Sequence, residues 1–131
     1  MKLICCIAKN NGMLFCGRRV SRDSAVTEKI LEIANGEKIY MTSSSATLFS
    51  DSDKIVVTND FSEAGENFCF VEDPGFITKD ASEIFLFHWN RDYPAEAFFP
   101  FDPKTEGYKR TKKEDFEGTS HKKITLEHYE R

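Results

Sequence analysis

EIFLFHW at Glu83–Trp89, AEAFFPFDP at Ala95–Pro103, YKRTKKEDFE at Tyr108–Glu117 and KKITLEHYER at Lys122–Arg131 make up the last third of the chain, and their reading decides the fold. The first run is dense in aromatic and β-branched residues, the composition of a strand packed on both sides. The last two alternate polar with apolar side chains, as strands with one wet face do. Strands in this order place the end of the chain inside a sheet that finishes on an antiparallel hairpin.

Working outward, Lys2–Ala8 (KLICCIA) is a short continuous apolar run, the pattern of a strand buried on both faces. Asn10-Asn11-Gly12 breaks it with turn chemistry. Ser21–Ala34 predicts a helix, because Val26, Ile30 and Ile33 fall on one stripe, with Ser21, Asp23 or Ser24 as cap. Asn35-Gly36 ends it. Lys38–Thr42, Lys54–Thr58 and Asn67–Val71 are three further strands, and Ser43–Phe49 is a serine-rich segment of one or two helical turns. Strands alternating with helices in the first half, and strand upon strand at the end, make an α/β fold with an antiparallel finish.

Composition narrows the function. A chain of 131 residues reads as one domain, long enough to bury roughly two-thirds of its unfolded surface. Net charge is −4, which argues against a nucleic-acid surface. The basic run Lys109–Lys113 is followed at once by Glu114 and Asp115 and reads as the solvated face of a strand. The four cysteines, at 5, 6, 16 and 69, lack zinc spacing. Adjacent Cys5 and Cys6 point to opposite faces of a strand. His88, His121 and His128 are scattered, His88 beside Trp89 as a packed sheet histidine or a stacking pair. No metal site is expected. No segment approaches the roughly 20 apolar residues of a membrane span, so a cytoplasmic protein is the expectation.

The order of these elements resembles the dihydrofolate reductase family. Phe99-Pro100 and Glu130-Arg131 stand where that family has a Phe-Pro after a strand and a Glu-Arg terminus. Leu14-Phe15-Cys16-Gly17-Arg18-Arg19-Val20-Ser21-Arg22-Asp23 resembles the family's mobile loop, helix entry and single catalytic acid, especially in its phage-type form. The resemblance implies a three-layer fold with a central, mostly parallel sheet, flanking helices and an antiparallel C-terminal hairpin. It implies that Asp23 binds the pterin edge and promotes protonation of N5, a role that suits a desolvated acid with a raised pKa. It places Ile4 and Phe49 against a dihydrofolate-like substrate, and Cys6, Ser43, Ser45 and Thr58 against NADPH. The same Asp23 is equally a fit for a helix N-cap.

The departures from the family are as specific. Phe15 and Cys16 replace its Pro-Trp, and Ser43 replaces the Arg that meets the NADPH 2′-phosphate. Ser52 or Asp53 stands where an Arg clamps the folate carboxylate, and Phe87 stands where a Thr bridges the acid to the pterin. VEDPGFITKDAS between Val71 and Glu83 carries no Gly-Gly phosphate loop and leaves no room for the helix, strand and helix found there. Loss of a central strand and of that loop is the expectation, with an uncovered edge that a second copy or a protein partner would cover. Two functions follow: a divergent binding or interaction module with degraded folate and NADPH sites, and a minimal reductase moving hydride from NADPH to dihydrofolate.

Overall fold

A computed structural model describes residues 1–50 and 52–131. Ten strands, β1 (Lys2–Ile7), β2 (Gly12–Phe15), β3 (Arg18–Arg19), β4 (Ile39–Met41), β5 (Ile55–Val57), β6 (Phe68–Phe70), β7 (Glu83–His88), β8 (Ala97–Phe98), β9 (Lys109–Phe116) and β10 (Ile124–Glu130), are joined with two α-helices, α1 (Ser24–Ala34) and α2 (Ser43–Ala46). Seven strands form one sheet in the order β5-β4-β6-β1-β7-β10-β9. The first five in that order run parallel; β10 pairs antiparallel with both β7 and β9. This is the α/β architecture with the antiparallel C-terminal hairpin that the last third of the sequence implies.

The sheet divides the core in two because side chains alternate along each strand. Leu3, Cys5 and Ile7 of β1 join Ile84 and Leu86 of β7 and Cys69 of β6 on one face. Ile4 packs on the other face with Phe85, Phe87, Phe68 and Phe70, and Val26, Ile30 and Ala34 of α1 cover them. Cys5 and Cys6 therefore serve opposite layers. The layer opposite α1 is not α-helical: it is built from 3₁₀ turns at Phe61–Ala64, Pro74–Phe76 and Pro103–Glu106 and from their loops. Segments of three or four residues bounded by Gly or Pro are too short to nucleate an α-helix.

One expectation is corrected. No central strand is missing: β6 lies between β4 and β1, with Phe68 opposite both Ile39 and Lys2, and its three residues are all buried. The short segment after it crosses β1 to reach β7 through a 3₁₀ turn. The sheet's edges are β5, only three residues long, and β9, whose Lys109–Lys113 run is exposed. Both are unpaired on their outer sides, and β5 exposes Val57; a short edge and a charged one are the usual means of discouraging edge pairing. Among the described residues no helix is long and apolar enough to cross a membrane.

Candidate functional site

In open parallel sheets, ligand crevices lie beyond the C-terminal strand ends where connections leave in opposite directions. Here β1 leads through α1 to β4 on one side, while β6 crosses to β7 on the other. The residues that follow these strands, with the small sheet β3-β2-β8 beside them, wall the crevice.

Asp23 sits at its rim, and its side chain is fully buried. It is the N-cap of α1, extended at φ −159° and ψ 129°, and accepts the Ala25 N–H at 2.9 Å. Its other partners come from the far end of the chain. Oδ1 also accepts the Thr119 N–H (2.9 Å) and hydroxyl (2.8 Å). Oδ2 accepts the Ser120 N–H (2.9 Å) and hydroxyl (3.1 Å) and the His121 Nδ1–H (2.9 Å). Burial alone would raise this carboxyl's pKa; the backbone N–H groups of Thr119 and Ser120, the His121 ring and the Ala25 N–H outweigh it. The result is a carboxyl held far below the usual range.

The loop that grips Asp23 requires Gly118. A Cβ there would stand 2.5 Å from Asp23 Oδ2, 2.8 Å from Ile124 Cδ1 and 2.9 Å from the His121 carbonyl oxygen. Gly118→Ala must push the loop off the carboxylate. We expect a loss of about 2 kcal/mol, in the range of overpacked cores, read by urea unfolding; a change under about 0.5 kcal/mol would contradict the close packing.

His121 is as buried as its partner, with 2% of its side chain exposed. It stacks on Trp89, ring centroids 4.7 Å apart; that is where Trp89 finds its stacking partner, since His88 turns to Glu127 instead. With Nδ1–H given to Asp23, Nε2 is the accepting nitrogen, and two hydroxyls reach it: Tyr93 at 2.9 Å and Ser21 at 3.1 Å. Ser21 and Tyr93 are themselves 3.2 Å apart.

The residues expected to hold NADPH lie nearby but are engaged with the protein. Ser45, buried, gives its hydroxyl to Glu72 Oε1 at 2.7 Å. Arg19 clamps the same carboxylate with two bonds, 2.8 and 3.0 Å, and bonds the Ser44 carbonyl. Ser43 is exposed. Thr58 closes a local turn with Asp60 and Glu63. Cys6 faces a gap of about 10 Å³ walled by Arg19, Ser21, Glu72 and Trp89. Burial, with the Glu72 charge adding to it, pushes its thiol and that of Cys5 well up; burial takes Cys69 up to about 11. These are the conditions of packed, unreactive thiols. Of the two residues expected to hold substrate, Ile4 is fully buried and Phe49 packs edge-on against Phe70, 5.9 Å between centroids.

Two open cavities border Arg22. One, of about 320 Å³, lies between Arg22, Asp23, Thr27, Thr47, Leu48 and Ser120. The other, of about 460 Å³, is walled by Gly17, Arg18, Arg19, Ser21, Arg22 and Ser44. A third, of about 170 Å³, lies beside them at Leu14, Thr42 and Glu72. Away from the crevice, His128 has ligand-type neighbours after all: donor atoms of Glu83, His128 and Glu130 lie within 4.8 Å of one another. His128 already bonds Glu83 at 2.7 Å and stacks on Phe85, so the group is accounted for as sheet packing.

The sequence matches no family model, and no curated protein matches it. The fold has counterparts among solved structures. A parallel sheet closed by an antiparallel pair, with one longer helix packed on one face and a crevice at the strand ends, is an α/β architecture. More particularly it is the dihydrofolate reductase fold: a dihydrofolate reductase from Enterococcus faecalis, complexed with NADP(H) and RAB-propyl, matches at a TM-score of 0.70, over 99% of this chain and 96% of that one, at 7% identity.

Proposed function

We propose that the chain uses the dihydrofolate reductase fold as a binding module and does not carry out ordinary NADPH-dependent reduction of dihydrofolate. The observation that supports this most is the state of Asp23. A reductase acid at this place must keep both oxygens for the pterin and hold a pKa near the working pH. Asp23 gives both oxygens to donors of its own chain, and its pKa is pushed the wrong way for a proton donor. The surroundings do not fit NADPH either. Glu72 neutralises Arg19 and takes the Ser45 hydroxyl, and an acid at that place repels a phosphate.

The ligand class this reading favours is a small anion in the Gly17–Arg22 cavity. Three arginines border it, and of these Arg19 alone is paired with an acid among the described residues. The competing reading, a minimal reductase, has in its favour that a protein of this fold is complexed with NADP(H). Titrating NADPH against Trp89 fluorescence, with dihydrofolate turnover followed in the same sample, separates the two. We expect no saturable signal and no turnover at millimolar cofactor; saturation together with turnover would sink the proposal.

A further inference from the structure

Ser21, His121 and Asp23 form one hydrogen-bonded line. Ser21 Oγ lies 3.1 Å from His121 Nε2, and His121 Nδ1 lies 2.9 Å from Asp23 Oδ2. The acid is buried, ionised and fixed by five further bonds, so it orients the imidazole and fixes its tautomer. Trp89 stacked on the ring removes its remaining freedom. The hydroxyl end of the line reaches open space: Ser21 is partly exposed and borders the cavity of about 460 Å³ shared with Arg18 and Arg22. A nucleophile bonded to a base, a base bonded to a buried acid, and a cavity at the nucleophile are the geometric signature of acyl transfer.

We propose that Ser21 is the nucleophile of a hydrolase for carboxylic esters that carry an anionic group, with His121 as general base, Asp23 as its positioning residue, and Arg18 and Arg22 holding the anion. Ser21 Oγ attacks the ester carbonyl carbon and its proton passes to His121 Nε2. Nε2 has a single lone pair, so in the reactive arrangement Ser21 O–H holds it, and the Tyr93 O–H, 3.2 Å from Ser21 Oγ, is free to donate to the oxyanion. Collapse breaks the carbon–oxygen bond to the alcohol, which leaves with the proton from Nε2. Water then adds to the acyl-serine, gives its proton to Nε2, and the acid departs as Ser21 is re-formed. The inference rests on the preceding reading in that Asp23 serves His121 rather than a pterin and the arginine cavity takes an anion.

The test uses the full chain, the 4-nitrophenyl monoester of succinate, the neutral 4-nitrophenyl butyrate, and a fluorophosphonate read by intact mass. We expect single labelling at Ser21 and hydrolysis that falls at least about 100-fold in Ser21→Ala, with partial return of turnover in Ser21→Cys. Arg22→Gln should lower kcat/KM for the succinate ester about 10-fold more than it lowers that for butyrate. Melting followed by circular dichroism shows whether each variant is folded; Ser21 is partly exposed, so Ser21→Ala is expected to be. Absence of labelling together with hydrolysis equal to that of Ser21→Ala overturns the inference. So does labelling abolished by Tyr93→Phe but kept in Ser21→Ala, which would make the phenol the nucleophile. Saturable binding of succinate to Trp89-monitored protein without Ser21-dependent hydrolysis overturns the catalytic inference and leaves the anion-binding module standing. Loss of both binding and hydrolysis overturns both.

Discussion

Asp23→Ala should cost about 3 kcal/mol of stability, the order expected when one partner of a buried, hydrogen-bonded charge is removed. The helix cap accounts for about 1 kcal/mol of that. The rest comes from the Thr119 and Ser120 N–H groups and the His121 ring, which lose an ionised acceptor. Because the folded carboxyl titrates well below its unfolded value of about 3.9, its contribution is complete above about pH 4. It is then lost as pH falls toward the folded pKa. The gap between native protein and Asp23→Ala should therefore be constant from about pH 5 to 7 and narrow below pH 4. Urea unfolding at several pH values, followed through Trp89, measures it. A variant within 1 kcal/mol of the native protein at pH 7 would show that water replaces the carboxylate at little cost.

Phe87→Thr should be more severe, at about 4 kcal/mol. In the resembled family a Thr at this place carries a water to the pterin; here Phe87 is fully buried and packs edge-on against Phe116, 6.2 Å between centroids. Cys6 and Leu126 flank it on the neighbouring strands. Removing the ring opens a cavity in the layer under α1, and the new hydroxyl enters an apolar site. Thermal unfolding reads the loss, and no gain of NADPH binding should accompany it. A variant of native stability would mean that the layer repacks, and that the Phe is not what closes the route for water.

The strands of the central sheet were legible in the sequence because each carries its own signal. KLICCIA is apolar throughout since β1 is covered on both faces, and the Val26–Ile30 stripe marks the face of α1 that meets the sheet. Asn35 and Gly36, at φ 47° and 85°, end that helix as their residue types imply. The small sheet was not legible: β3 and β8 have two residues each, too few for any period. Nor was the engagement of Arg19 and Ser45 with an internal acid. Arg19 and Glu72 are 53 positions apart, and Ser45 and Glu72 are 27 apart, with nothing local to link them. His121 read as an isolated histidine because Asp23, its partner, is 98 residues away. A signal was present in Gly118-Thr119-Ser120-His121, four residues rich in small donors, which is the composition of an anion-gripping loop.

That same separation bears on how the chain comes into being. A growing polypeptide exposes Asp23 and α1 early, yet the groups that accept its charge into the interior emerge only with residues 118–121. β10, which follows them, is an interior strand between β7 and β9. Until it threads into place the carboxylate must stay hydrated and the sheet stays open along β7. Assembly is thus governed by contacts between distant parts of the chain, which makes it slow. A half-made chain carries no partial site, so completion of the fold and completion of the Ser21–His121–Asp23 line are one event.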